Sequence, residues 1–213
     1  MMLPIDKSTK RFTPGIYYDD IPNRFLCKVL VYGQVEECYI PASFKISRQI
    51  NLKNKEILLQ RNVNPKARTR FSLYAVKFKR NYILLDLKLA NSIIYQQLHR
   101  RYFSFLGIRS NVRREKNFYN YKCDLFLEDT KTVIEIKTFI TEENSGYFPS
   151  IYSKRAIMQL NAILCLLKKG YRACYIVLSM NPYLNSLCLR EDDTEYCYIF
   201  RKCLSEGMVF KCY

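Results

Sequence analysis

Three residues near the middle of the sequence stand at a spacing that can do chemistry: Asp124, then Glu135 followed at i+2 by Lys137. A strand sends successive side chains to opposite faces, so Glu135 and Lys137 share one face while Ile134 and Ile136 take the other. The segments YKCDLFL and TVIEIKT flank the run Glu128-Asp129-Thr130-Lys131, which reads as a turn and predicts an antiparallel hairpin with Asp124 close to Glu135. Two carboxylates so placed, with a main-chain carbonyl and waters, form the hard oxygen set that Mg²⁺ or Mn²⁺ takes. Such an ion polarises a phosphate and acidifies a bound water, and Lys137 is placed to orient that water or steady developing charge. The same three residues also suit a plain ion pair on an exposed strand, which is worth little. The apolar neighbours of Glu135 and Lys137 favour the metal site, because they mark a central strand in which a charge needs a partner.

The elements that must position this hairpin fall into two blocks. From Arg24 to Lys79 the segments RFLCKVLVYG, EECYIPA, EILLQRN and TRFSLYAVKF read as short strands, punctuated by Gly33, Pro41 and Asn64-Pro65. Strands at this spacing predict a small barrel of the oligonucleotide-binding (OB) type over residues 1–81. The second block, residues 82–213, opens with a helix, LANSIIYQQLHRRYFSFL, whose Leu89, Ile93, Ile94 and Leu98 recur at helical spacing. A strand near Asn111 to Lys116 and the hairpin follow. Ser153 stands where an N-cap belongs, Ile157, Leu160, Leu164 and Leu167 share one face of the next helix, and Gly170 stops it. The chain returns as the strand YRACYIVLSM. The fold class is therefore α+β or α/β: an OB-like β-barrel followed by an α/β domain with a central mixed sheet. Helix, hairpin, helix and strand around an acidic pair and a lysine match the restriction-endonuclease-like pattern PD-(D/E)xK, although no proline precedes Asp124.

Composition narrows the function classes. The chain has 213 residues, 49% of them hydrophobic, ample for a packed core. No apolar run approaches the roughly 20 residues of a membrane span, and the start lacks a signal-peptide stretch, so no membrane partner and a cytoplasmic location are expected. Nine cysteines without a C-x-x-C pair predict reduced, mostly buried thiols rather than a disulfide framework or a zinc ribbon. A single histidine, His99, counts against histidine metal sites and Ser-His-Asp triads. Tyr171, Tyr175 and Tyr183 read as core aromatics more than as base-stacking residues.

The net charge of +16 is concentrated. Residues 45 to 80 hold eleven Lys or Arg against one acid, Glu56, and a second run contains Arg100, Arg101, Arg109, Arg113, Arg114 and Lys116. Such density predicts a polyanionic partner, since each phosphate neutralised releases condensed counterions. Nucleic acid is the expected partner, with Lys45, Arg48, Lys66, Arg68, Arg70, Arg113 and Arg114 as candidate contacts. A homodimer is left open.

The stretches NVNPKARTRFSLYAVKF, CDLFL with IEIKTFIT, and GYFPSIYSKRAIMQLNAILCLLKKGYRACYIVLSMNP resemble the sugar fermentation stimulation protein A (SfsA) family, from about Arg24 to Arg201. The resemblance implies an OB-like domain ahead of a nuclease-type α/β domain, DNA more than RNA as the partner, and a motif matched by Asp124, Glu135 and Lys137, with Arg155 beyond it. Departures from the family pattern are Gln96 and Gln97 in place of a helix glutamate, Ser150 and Lys154 in place of acids, and IPASFKI without the usual asparagine and glycine. Two functions follow: a Mg²⁺- or Mn²⁺-dependent nuclease with Asp124 and Glu135 on the metal, or a non-catalytic DNA-binding regulator that keeps the nuclease fold.

Overall fold

The structure, a computed structural model, describes residues 12–42, 46–192 and 194–213. They form two compact units. The first takes the described residues up to Lys88 together with Ile140–Asn144 and Met180–Leu184, and the second takes Leu89–Phe139, Ser145–Ser179 and Asn185–Tyr213.

The first unit is built on β1 (Phe12–Asp20), β2 (Leu26–Val31), β3 (Gln34–Tyr39), β4 (Glu56–Arg61), β5 (Phe71–Phe78) and β6 (Asn81–Leu84), in the order β3-β2-β1-β4-β5-β6. A parallel pairing of Cys38 and Tyr39 with Phe71 and Ser72 joins β3 to β5 and closes five of these strands into a ring. Alternate residues fill its interior: Val29, Val31, Ile57, Leu59, Phe71 and Leu73 are all buried. Strand β1 lies ahead of every strand expected from the sequence. At Pro14 the strand pairs only with β4, and β2 joins from Ile16 onward, so Pro14 sits where a missing N–H is tolerated. β6 pairs with β5 from Ala75 opposite Leu84 to Phe78 opposite Asn81. A division between residues 81 and 82 would cut this hairpin, and the first unit runs on to Lys88. Its returning segment Ile140–Asn144 carries Glu142, which accepts the Asn51 N–H at 3.1 Å and pairs with Lys55.

The second unit begins with α1 (Leu89–Gln97) and a 3₁₀ turn at Arg101–Leu106, so the single long helix expected there is two pieces. Next come β7 (Val112–Arg114), a small hairpin of β8 (Asn117–Phe118) and β9 (Tyr121–Lys122), then β10 (Leu125–Leu127), β11 (Thr132–Phe139) and β12 (Ser145–Phe148). They are followed by α2 (Lys154–Lys168), β13 (Arg172–Ser179), β14 (Ser186–Leu189), α3 (Thr194–Ser205) and β15 (Val209–Cys212). The main sheet has the order β15-β13-β11-β10-β7 and is mixed: β7, β10 and β11 are antiparallel, while β11, β13 and β15 are parallel. Parallel neighbours need a crossover, and α2 supplies it between β11 and β13. The fold is thus mixed α+β.

The limits of α2 follow its sequence. Ser153 Oγ accepts the Ala156 N–H at 3.3 Å, and Gly170 takes φ 81° just past the end. Its buried residues are Ile157, Leu160, Ile163 and Leu166, so the apolar stripe advances by threes and leaves Leu164 and Leu167 half-buried. Gly146 lies against the Phe139 ring at the end of β11, and a Cβ there would overlap the ring.

Among the described residues no helix is long and apolar enough to cross a membrane. All nine cysteines are free thiols; Cys27, Cys38, Cys123, Cys174, Cys197 and Cys203 are buried, and Cys165, Cys188 and Cys212 are exposed. Burial pushes the Cys174 thiol up to about 12 and the Cys203 thiol up to about 11. Thiol titration of the native protein with an aromatic disulfide is therefore expected to report the three exposed cysteines quickly, and the other six only after denaturation. Rapid modification of all nine without denaturant would contradict the burial.

Candidate functional site

The site is built where the β10–β11 ladder stops. Leu125 pairs with Ile134, so Asp124 stands one step beyond the last ladder pair, level with Glu135. At that point the Asp124 side chain takes over from the main chain: its Oδ2 accepts the Ile136 N–H of β11 at 2.7 Å. Its other oxygen, Oδ1, accepts from Asn91 Nδ2 of α1 at 2.8 Å. The expected continuous strand YKCDLFL is for this reason two short strands, β9 and β10, broken at Cys123 and Asp124.

Glu135 is 1% exposed, in the middle of the sheet. Its Oε2 accepts from the Tyr121 hydroxyl at 2.7 Å and its Oε1 from Lys137 Nζ at 2.6 Å. Lys137 also donates to Gln159 Oε1 of α2 at 2.6 Å, which fixes the ammonium between strand and helix. Burial pushes the Glu135 carboxyl above its ordinary value, the Lys137 ammonium pulls it back, and the Asp124 carboxylate adds to the rise. Burial and the neighbouring Glu135 carboxylate also raise the Tyr121 phenol, keeping it a protonated donor. The Cys123 thiol is pushed up to about 12 by burial and by the charges of Glu135 and Asp124.

The residues named from the sequence thus divide into two groups. Asp124, Glu135 and Lys137 come together at one place. The basic residues lie elsewhere: Lys66, Arg68 and Arg70 are exposed on the loop between β4 and β5, and Arg48 is exposed at the end of the 3₁₀ turn Ile46–Arg48. Lys45 lies outside the described residues. Arg68 and Arg70 reach Glu37 and Glu36 at 3.9 and 3.3 Å, loose surface pairs that a polyanion can displace. In the second unit, Arg113 pairs with Glu128 at 2.6 Å, and Arg114 donates to Ser92 Oγ at 3.2 Å with its guanidinium over the Tyr95 ring. Ser92 is the neighbour in α1 of Asn91, the residue on Asp124. Arg155 is exposed in the first turn of α2, one turn before Gln159 on the same helix face.

Three residues at the site had no local signal. Tyr121, Asn91 and Gln159 reach it from β9, α1 and α2. Gln96 and Gln97, expected where a helix carboxylate would stand, do not fill that position: Gln96 is exposed, Gln97 accepts from the Tyr102 hydroxyl, and Asn91 is the α1 side chain on Asp124.

A family model described as the sugar fermentation stimulation protein RE domain matches residues 88–213, more than half of the chain and all of the second unit. The chain belongs to the SfsA family. A sugar fermentation stimulation protein homolog of Clostridium beijerinckii is 28% identical over 160 residues, covering 73% of this chain and 69% of the relative. The SfsA-family homolog of Methanobrevibacter smithii is 25% identical over 218 residues, 94% of this chain and 90% of its own. The structure of Pyrococcus furiosus SfsA in complex with Ca²⁺ matches 95% of this chain and 87% of that one, with a TM-score of 0.80 at 15% identity. At that identity the likeness speaks for the SfsA fold, in both units, and not for the chemistry.

Proposed function

We propose that this SfsA-family chain binds nucleic acid, DNA in preference to RNA, and that its second unit holds a Mg²⁺- or Mn²⁺-dependent phosphodiesterase site. The observation that carries the reading is Glu135: a carboxylate 1% exposed, wedged between a phenol and an ammonium, beside the second carboxylate of Asp124. A buried carboxylate beside a half-buried one is costly unless a cation compensates them, and one ammonium answers only one of the two. The strand order of the ring, closed through β3 and β5, supports an OB-type barrel in the first unit. The antiparallel β7-β10-β11 edge with the α2 crossover supports a restriction-endonuclease-like second domain.

A divalent metal fits these residues. Among the described residues no group of three His, Cys, Asp or Glu gathers, so the protein offers two carboxylates and main chain. That is the way Mg²⁺ is held when waters and substrate phosphates complete its shell. Asp124 and Glu135 would hold it, with the Ile136 carbonyl, which leaves β11 on the same edge as the N–H bonded to Asp124. The Pyrococcus furiosus relative is in complex with Ca²⁺, another hard cation suited to oxygen donors. When bound, the ion supplies Lewis-acid polarisation of a phosphate and a water of lowered pKa. Asn91, Tyr121 and the Ile136 N–H hold the two carboxylates in fixed orientation, so little reorganisation is left for the reaction. Lys137, steadied by Gln159, places a positive charge where a phosphorane-like oxygen gains negative charge, and can present or receive a proton at Nζ. Arg114 and Arg155 serve as phosphate contacts that orient the strand. The deciding assay incubates purified protein with labelled single- and double-stranded DNA and RNA, with Mg²⁺, with Mn²⁺ and with chelator. Cleavage only with metal supports the enzyme, and no cleavage under any condition rejects it.

One observation favours a non-catalytic DNA-binding regulator: each oxygen of the acidic pair already has a protein donor, and the α1 residue on Asp124 is a neutral amide. Asn91→Asp separates the two readings. It removes the N–H donated to Asp124 and sets a third carboxylate there, so the metal-free protein should lose about 1–3 kcal/mol of stability. With a metal site, millimolar Mg²⁺ should raise the melting temperature of the variant more than that of the wild type, because the added ligand tightens binding to the folded state. The regulator reading expects no Mg²⁺ response in either protein.

A further inference from the structure

The first unit contains a groove that the phosphodiesterase site does not use. It lies between the turn leading into β2 and the loop from β4 to β5, and has a volume of about 550 Å³. One wall is aromatic: the Phe25 ring is 37% exposed, with the Arg24 guanidinium 4.6 Å from its centroid, and Tyr39 stands beside it. The rest of the lining is rich in side-chain amides. Asn23 and Asn64, both in the lining, accept main-chain N–H bonds from Phe25 and Lys66 through their Oδ1 atoms, and their NH₂ groups have no partner among the described residues. Gln60 has no side-chain partner among the described residues. Arg61 and Arg68 stand at the rim, and Arg61 has no acidic partner among the described residues. The acids nearest the loop, Glu36 and Glu37, are met by Arg70 and Arg68.

The loop that forms the rim is braced from within. Asn62 donates to the Thr69 carbonyl at 2.8 Å and accepts from Ser72 Oγ at 2.7 Å, and Thr69 donates to the Phe71 carbonyl at 3.0 Å. Loop and wall are therefore held in place before any ligand arrives, which lowers the ordering cost of binding. An aromatic wall, the open Gln60 amide with the NH₂ groups of Asn23 and Asn64, and cations at the rim are the three groups that meet the face, the edge and the phosphate of a nucleotide. A base pair inside a duplex cannot use them together, since its faces are covered by its neighbours and its edges are shared with its partner.

We infer that this groove takes unpaired bases, and that the chain prefers single-stranded nucleic acid to duplex. The inference rests on the nucleic-acid-binding half of the proposed function and is independent of cleavage. The test is therefore a binding measurement in chelator. Full-length protein is titrated, at one fixed salt concentration, into fluorescein-labelled oligothymidylate of about 15 nucleotides, a length within the site sizes of single-strand binders. The same strand annealed to oligoadenylate is titrated in parallel, and anisotropy is recorded. Oligothymidylate should bind at least about tenfold more tightly than the duplex. Phe25→Ala should weaken single-strand binding by about ten- to a hundredfold, the range for loss of one stacked base, while leaving duplex binding within a factor of two or so. Phe25→Tyr keeps a ring of the same kind and should bind the single strand as the wild type does, and the retained duplex binding of Phe25→Ala excludes a folding defect as the cause. Equal wild-type affinity for the two probes would overturn the inference and leave the phosphodiesterase reading standing, as would an equal loss on both probes for Phe25→Ala. Failure to bind either probe at low salt would overturn it together with the nucleic-acid reading beneath it.

Discussion

Replacing Glu135 by glutamine is expected to abolish metal-dependent cleavage while binding to nucleic acid and the fold survive. The substitution keeps size and shape: the glutamine Oε1 can still accept from Lys137 and its NH₂ can donate to the Tyr121 hydroxyl oxygen, but the charge that would face the ion is gone. Because burial already disfavours the ionised carboxyl, the metal-free variant should be at least as stable as the wild type. The rate should fall on the order of a hundred- to a thousandfold or more, comparable with losing a principal electrostatic element of a site. Lys137→Ala should differ: cleavage slows by about a hundredfold or more through loss of the proton-handling group, while affinity for the metal does not fall, since the ammonium on Glu135 Oε1 competes with a cation for that oxygen. Single-turnover rates and metal titrations separate the two. If Glu135→Gln cuts as well as the wild type, the activity belongs to a contaminant and the enzyme reading fails.

The second large effect is on salt. Affinity for nucleic acid should drop on the order of a thousandfold between about 50 and 200 mM salt if at least six cations touch phosphate, which the exposed Arg48, Lys66, Arg68 and Arg70, with the other cations of the same run, make reasonable. The triple change Lys66→Ala, Arg68→Ala and Arg70→Ala should lower the slope of log affinity against log salt by about 0.9 per residue on duplex, and about 0.7 on single strands. These side chains lie on an exposed loop, and their pairs with Glu36 and Glu37 are loose, so thermal stability should barely change. A flat salt plot for the wild type would remove the electrostatic basis of the proposal.

The acidic pair was legible in the sequence because its geometry is local. The two-residue period of β11 and the register of one hairpin suffice to bring Asp124, Glu135 and Lys137 to one place, and the cap and stop of α2 are equally local signals at Ser153 and Gly170. The residues that hold the pair in position were not legible. Tyr121, Gln159 and Asn91 lie 14, 22 and 33 residues from the groups they bond, and nothing in their own neighbourhoods marks them. Strand β1 was hidden for a different reason: Pro14 and Gly15 are turn residues by propensity, and only the one-sided pairing at that point makes a strand acceptable to them. The break at Asp124 is the most instructive miss. A side chain replaces the main chain in the ladder there, and no pattern of apolar residues records that exchange.

The two short returns of the chain, Ile140–Asn144 and Met180–Leu184, have a consequence for inheritance. The first unit is encoded in three separate stretches, and the later two are embedded in the gene segment for the second. A gene fragment ending at Lys88 would omit Glu142, the partner of Lys55 and Asn51, and Asn181, which donates to the Thr141 and Glu143 carbonyls. A single crossover between two relatives at that point yields a chimera whose ring comes from one parent and whose closing segments come from the other. Such a chimera should be stable only where those ten residues fit the ring they are moved onto.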